Sequence, residues 1–174
     1  NLTNNTLGYE AISSLTCACA PNGLLLKTDG NYVLEEILNA STHGFGFLLS
    51  IVASVVLMNS LENLETVTDY HYWSCMVYSV SLVFLFLFST LYHSFFMMPK
   101  QMKIFQILDN IGIYMLIAGS YTPIMLVGLH NSVYARFLLI GEWISAFCAS
   151  AFAVYCDICI ASYVWSIASY GLPS

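Results

Sequence analysis

The chain has 174 residues, 59% of them hydrophobic and only 8% charged, with a formal net charge of −6. Ordinary globular domains carry about 25% charged residues, so this sequence cannot clothe a folded surface in charge, and lipid is its natural solvent. Its four Lys and Arg residues form no basic patch, which excludes nucleic acid as a partner.

Residues 1–34 carry turn formers ("PNG", "TDGN") and no sustained helical period, so a mostly irregular segment is expected there. Asn1 and Asn4 lie in N-x-T sequons, discounted because the topology below puts this segment in the cytosol. No basic start followed by a long apolar region marks a secretory signal.

Four long runs nearly free of Asp, Glu, Lys and Arg follow, each reaching the roughly 20 residues that a bilayer-spanning helix needs. They predict helices near 37–58, 73–96, 106–128 and 136–156, and "ICIASYVWSIASY" (158–170) reads as a short fifth. Open sheet edges are not tolerated in lipid, so the fold class is all-α, a multi-pass transmembrane helical bundle over residues 35–174. The chain starts at Asn1 and ends "SYGLPS"; both ends read as cut, and a fragment or truncated product is expected.

Lys27 precedes the first helix, and Lys100 and Lys103 lie between the second and third, against Arg136 alone on the other side. Basic residues favour the cytoplasmic side, which predicts an integral membrane protein with a cytosolic N-terminus. Tyr72, Trp73 and Tyr134 fall where aromatic belts are expected. Pro123 predicts a kink in the third helix, and Gly119 and Ser120 a close helix approach.

The cysteines are Cys17, Cys19, Cys75, Cys148, Cys156 and Cys159, most of them in apolar runs. There a thiol acts as a small hydrophobe. Cys156 and Cys159 form a lone C-x-x-C with no matching pair, so neither a disulfide framework nor a zinc knuckle is expected.

The polar residues gather at one end. Glu36, Asn39 and His43 follow i, i+3, i+7 spacing, and Ser89 and His93 follow i, i+4, so each set shares a helix face. Asp109 falls in the first turn of the third predicted helix, and the topology brings all three helix ends to one depth. Ionisable groups inside a membrane usually face a bundle interior or a cavity. The blander reading is that Glu36 and Asp109 are interfacial acids at helix N-termini, as Glu35 is, and that Ser89 bonds back to its own helix. Glu142 reads as interfacial or as paired with another helix. The side-chain types suit zinc, which takes neutral imidazole and lowers the pKa of a bound water to near 7. A catalytic zinc normally has three protein ligands. His43 and His93 are only two, and His71 and His130 belong to the opposite side. Either Asp109 ligates directly, or further ligands lie outside this sequence.

The blocks "EEILNASTHGFG" (35–46), "STLYHS" (89–94) and "LDNIGIYMLIAGSYTP" (108–123) resemble the hemolysin III family, within the superfamily of progestin and adiponectin receptors. The resemblance implies seven transmembrane helices, of which this chain carries four and a partial fifth. It implies that His93 is a zinc ligand, that two more ligands come from a His-x-x-x-His in the seventh helix, and that Asp109 holds the zinc-bound water. It leaves Glu36, Asn39 and His43 as a supporting polar cluster near the site. This chain has no His-x-x-x-His, so Zn2+ is expected only in a longer parent, and the chain alone is expected to be inactive. The family is similar to the alkaline ceramidases, which implies hydrolysis of a lipid amide with Asp109 and Ser89 as catalytic residues. The rival reading is a receptor with a structural zinc and a steroid or lipid agonist. A transporter or pore fits less well, because the polar residues cluster at one end rather than forming a file. Membrane lipids are the partners common to all three readings.

Overall fold

The computed structural model describes residues 30–62, 67–129 and 131–170, with side chains described to Ile160 and at Ser162. Residues 1–29, with Lys27, Cys17, Cys19 and both sequons, lie outside them, as does His130. Four helices follow in order: α1 (Gly30–Glu62), α2 (Asp69–Ser94), α3 (Pro99–Pro123) and α4 (Val133–Tyr170). Each contains a stretch long and apolar enough to cross a membrane. In lipid every backbone N–H and C=O must be satisfied within the segment, and a helix does this without a partner strand.

The helices start before the predicted spans, whereas α2 stops at Ser94 and α3 turns π-helical after Pro123, each short of its predicted end. The expectation of irregular structure to residue 34 fails for 30–34, which already form the first turn of α1. The separate short helix expected at 158–170 is the continuation of α4, which passes Asp157 without a break. Hydropathy marks where lipid begins, whereas helix ends are set by caps and breakers. Thr68 opens α2: its carbonyl accepts the His71 N–H at 2.9 Å, and its own N–H donates to His71 Nδ1 at 3.4 Å. Pro99 opens α3 at a position where its missing N–H costs nothing. At Pro123, where a kink is expected, the helix changes type. A π-helical turn, Ile124–Gly128, follows, and the Leu129 N–H reaches five residues back to the Ile124 carbonyl at 3.2 Å. Proline cannot supply its own N–H, and the wider turn takes up the mismatch.

α2 is the centre of the arrangement, with α1 on one side and α3 on the other, and α4 packs on α3. The bundle is inverted relative to a water-soluble protein. The buried residues of α2 are Ser74, Ser79, Ser81 and Ser89, and those of α1 are Glu36, Ser50 and Leu61. Val52, Val80, Phe137 and Phe152 are more than half exposed. Lipid tails are as apolar as these side chains, so burying them gains little. Small residues let the helices close up instead. A Cβ added at Gly119 would stand 2.5 Å from Ser81 Oγ, and one at Gly112 would stand 3.1 Å from the Leu85 Cα. On the other side a Cβ at Gly46 would fall 2.5 Å from the Phe86 ring. The buried hydroxyls mostly turn back onto their own helix, as with Ser81 on the Val77 carbonyl at 2.8 Å and Thr122 on that of Ala118 at 2.9 Å. Among the described residues, Ser79 Oγ is fully covered with no partner, and the buried Ser89 does not bond back to its own helix.

Candidate functional site

Helix α1 brings Glu36 to the end of α2, and there the two helices join through one polar contact. Glu36 Oε2 lies 2.7 Å from Nδ1 of His93. Both side chains are largely covered, with 11% of Glu36 and 16% of His93 exposed. A carboxylate can only accept, so the ring nitrogen is the donor, and the bond is charge-assisted.

The same spot gathers three more rings. The His43 ring centroid is 5.3 Å from that of His93, tilted by 44°, and His43 also rests near Phe86 at 6.2 Å. Tyr92 stands 4.8 Å from His93, centroid to centroid. Tyr32 lies near the Glu36 carboxylate, one turn before it on α1. Neither tyrosine was singled out by the polar pattern of the sequence. The signal for Tyr32 was its i, i+4 relation to Glu36, which puts both on one face.

Asn39 departs from the group. It is exposed, whereas Glu36 is buried and His43 half-buried. At about 100° per residue, Asn39 points about 60° away from Glu36 and about 40° from His43. The face expected to hold three polar residues thus presents two of them to α2 and turns the third outward.

Ser89 is 2% exposed, one turn before His93 on α2. The contacts of Gly119 with Ser81 and of Gly112 with Leu85 fix the antiparallel register of α2 and α3. Continued by one turn, that register sets Asp109 level with Ser89. Asp109 and Glu36 both lie close enough to Tyr92 to act on its hydroxyl electrostatically. Glu36, His43 and His93 are therefore in one cluster, Ser89 is at the α2–α3 seam beside it, and Asp109 closes the same level from α3.

The contact with Glu36 leaves Nε2 of His93 outside it, and the His43 imidazole stands beside that ring. Among the described residues no three His, Cys, Asp or Glu side chains are placed to hold a metal ion together. His71, at the far end of α2, is engaged in the Thr68 cap at 2.7 Å from its hydroxyl.

An apolar cleft lies elsewhere. It has a volume of about 540 Å³ between α2, α3 and α4, walled by Trp73, Val77, Phe84, Met115 and Trp143, and contains none of the polar cluster. Glu142 borders a smaller cleft of about 140 Å³ with Tyr114 and Ser145. Trp143 Nε1 donates to Thr122 Oγ1 at 3.2 Å, tying α4 to α3 just before Pro123.

Residues 31–168 match the family model described as Haemolysin-III related. The chain is 46% identical over 100 residues to Hemolysin-3 of Bacillus cereus, covering 58% of this chain and 44% of that protein. It is 42% identical over 108 residues to the Hemolysin-3 homolog of Bacillus subtilis (strain 168), covering 62% and 49%. The chain thus spans about half the length of these curated relatives. No solved structure matches it.

Proposed function

The chain belongs to the Haemolysin-III related family, and from that premise we propose that it carries one part of a membrane-embedded site that hydrolyses a lipid amide. The observation that supports this reading is the covered Glu36–His93 pair, at one level with Ser89 and Asp109. Ionisable groups are costly at such a depth and mark functional sites by default. The reaction assigns each residue a role. Asp109 takes the proton of the attacking water and returns it to the departing amine as the C–N bond breaks. Ser89 offers its hydroxyl to the amide carbonyl oxygen, on which charge develops. His93, held by Glu36, directs its second nitrogen into the site. Zinc bound by His93 and by ligands from outside the described residues would supply the acidity that makes water a nucleophile at neutral pH. The long lipid substrate would lie along the apolar helix surfaces, with its amide at the polar end.

The test is release of fatty acid from a fluorescent ceramide, in vesicles, by a longer parent chain that carries the further zinc ligands. The account expects turnover above protein-free vesicles and a loss of about 100-fold or more in Asp109→Ala. Background activity in both, with the protein folded, would sink the hydrolase reading and favour a receptor with no catalysis.

A further inference from the structure

The Glu36–His93 contact fixes more than the position of a ring. A neutral imidazole carries its proton on one nitrogen, and the hydrogen bond made by the other partner decides which. Here the partner of Nδ1 is a carboxylate at 2.7 Å, which can only accept. Glu36 is itself buried, with Tyr32 near it on its own helix. His93 has limited room to turn away, because His43 and Tyr92 stand at 5.3 and 4.8 Å from its ring. A ring flip would leave Glu36 covered, with its acceptor facing a carbon.

We propose that Glu36 is the positioning residue of His93: its carboxylate holds the ring with the proton on Nδ1 and leaves Nε2 bare as the nitrogen that works. Carboxylates play this part behind metal-bound histidines and behind histidines that act as bases. The assignment does not depend on whether the site hydrolyses, binds metal or signals, and it is read without activity. The chain also contains its own contrast. At His71 the Thr68 backbone N–H is directed at Nδ1 at 3.4 Å and the Thr68 hydroxyl stands 2.7 Å from it, an arrangement that suits a bare Nδ1 and a proton on Nε2. Two histidines of one helix are thereby set in opposite tautomers by their neighbours.

The experiment is long-range 1H–15N NMR of protein labelled with 15N-histidine in lipid nanodiscs. The chain has four histidines, and His93→Gln and His71→Gln assign the two resonance sets. His93 is expected to show a protonated Nδ1 and a bare Nε2, and His71 the reverse. Glu36→Gln keeps an acceptor oxygen and is expected to preserve the His93 pattern. Glu36→Leu removes it and is expected to shift the proton onto Nε2. A proton on His93 Nε2 in the wild type, or an unchanged His93 pattern in Glu36→Leu, overturns the proposal. Should Glu36→Leu not fold, the wild type and Glu36→Gln decide it by the same sign.

Discussion

Glu36 and His93 stand 57 residues apart in sequence and 2.7 Å apart in the structure, and they form a polar join between α1 and α2. Around this contact the bundle is held chiefly by small side chains rather than by large apolar ones, and the consequences differ from those expected of a protein in water.

The first concerns Gly119. Its missing Cβ makes room for Ser81, whose Oγ and Cβ would lie 2.5 and 2.9 Å away. Gly119→Ala is expected to destabilise the α2–α3 pair by about 1–3 kcal/mol. Ser81→Gly in the same chain should recover most of the loss. Reversible unfolding in mixed micelles measures both. An alanine variant as stable as wild type would contradict the close packing.

Trp143 ties α4 to α3 through a hydrogen bond of 3.2 Å to the Thr122 hydroxyl. Hydrogen bonds between membrane helices average only about 0.6 kcal/mol. Trp143→Phe keeps much of the ring and should cost about that much, whereas Trp143→Ala also opens a void and should cost clearly more. The pair is read by the same unfolding measurement.

His71 is expected to matter as a cap and not as a ligand. It accepts from the Thr68 N–H and meets the Thr68 hydroxyl at 2.7 Å. His71→Ala should cost about 1 kcal/mol, the usual size of a lost helix cap. It should leave any metal content unchanged, as elemental analysis would show.

Asn39 separates the face seen in the sequence from the face seen in the structure. Because it is exposed, Asn39→Ala should change stability by less than about 0.5 kcal/mol. In the parent-chain assay of the hydrolase proposal it should leave turnover within about twofold, whereas substitution of Asp109 should not.

Much of this was legible in the sequence, for identifiable reasons. A charge-free run of 20 residues has few homes other than lipid, so four crossings were clear from composition alone. Glu36, His43 and His93 stood out because an imidazole or carboxylate is costly within such a run, and Ser89 by its i, i+4 spacing from His93. The helix ends were less clear, since Gly30–Leu34 and the stretch around Asp157 are too polar to read as membrane, yet helical. Asn39 read as a member of the cluster because spacing gives a face only to within some tens of degrees, and lateral packing decides which edge is covered. Tyr32 and Tyr92 escaped notice because tyrosine at a membrane interface is ordinary. The pairing of Glu36 with His93, rather than with His43 on its own helix, depends on the register of α1 against α2. No pattern within either helix encodes that register.

The most direct measurement is a double-mutant cycle on the Glu36–His93 contact. Glu36→Ala, His93→Ala and the double variant would be unfolded reversibly in the same micelles. A covered, charge-assisted hydrogen bond predicts a coupling of about 1.5–3 kcal/mol, with the double variant far less destabilised than the two single losses summed. Single losses that add to within about 0.5 kcal/mol would mean the two side chains do not interact, and would contradict the account.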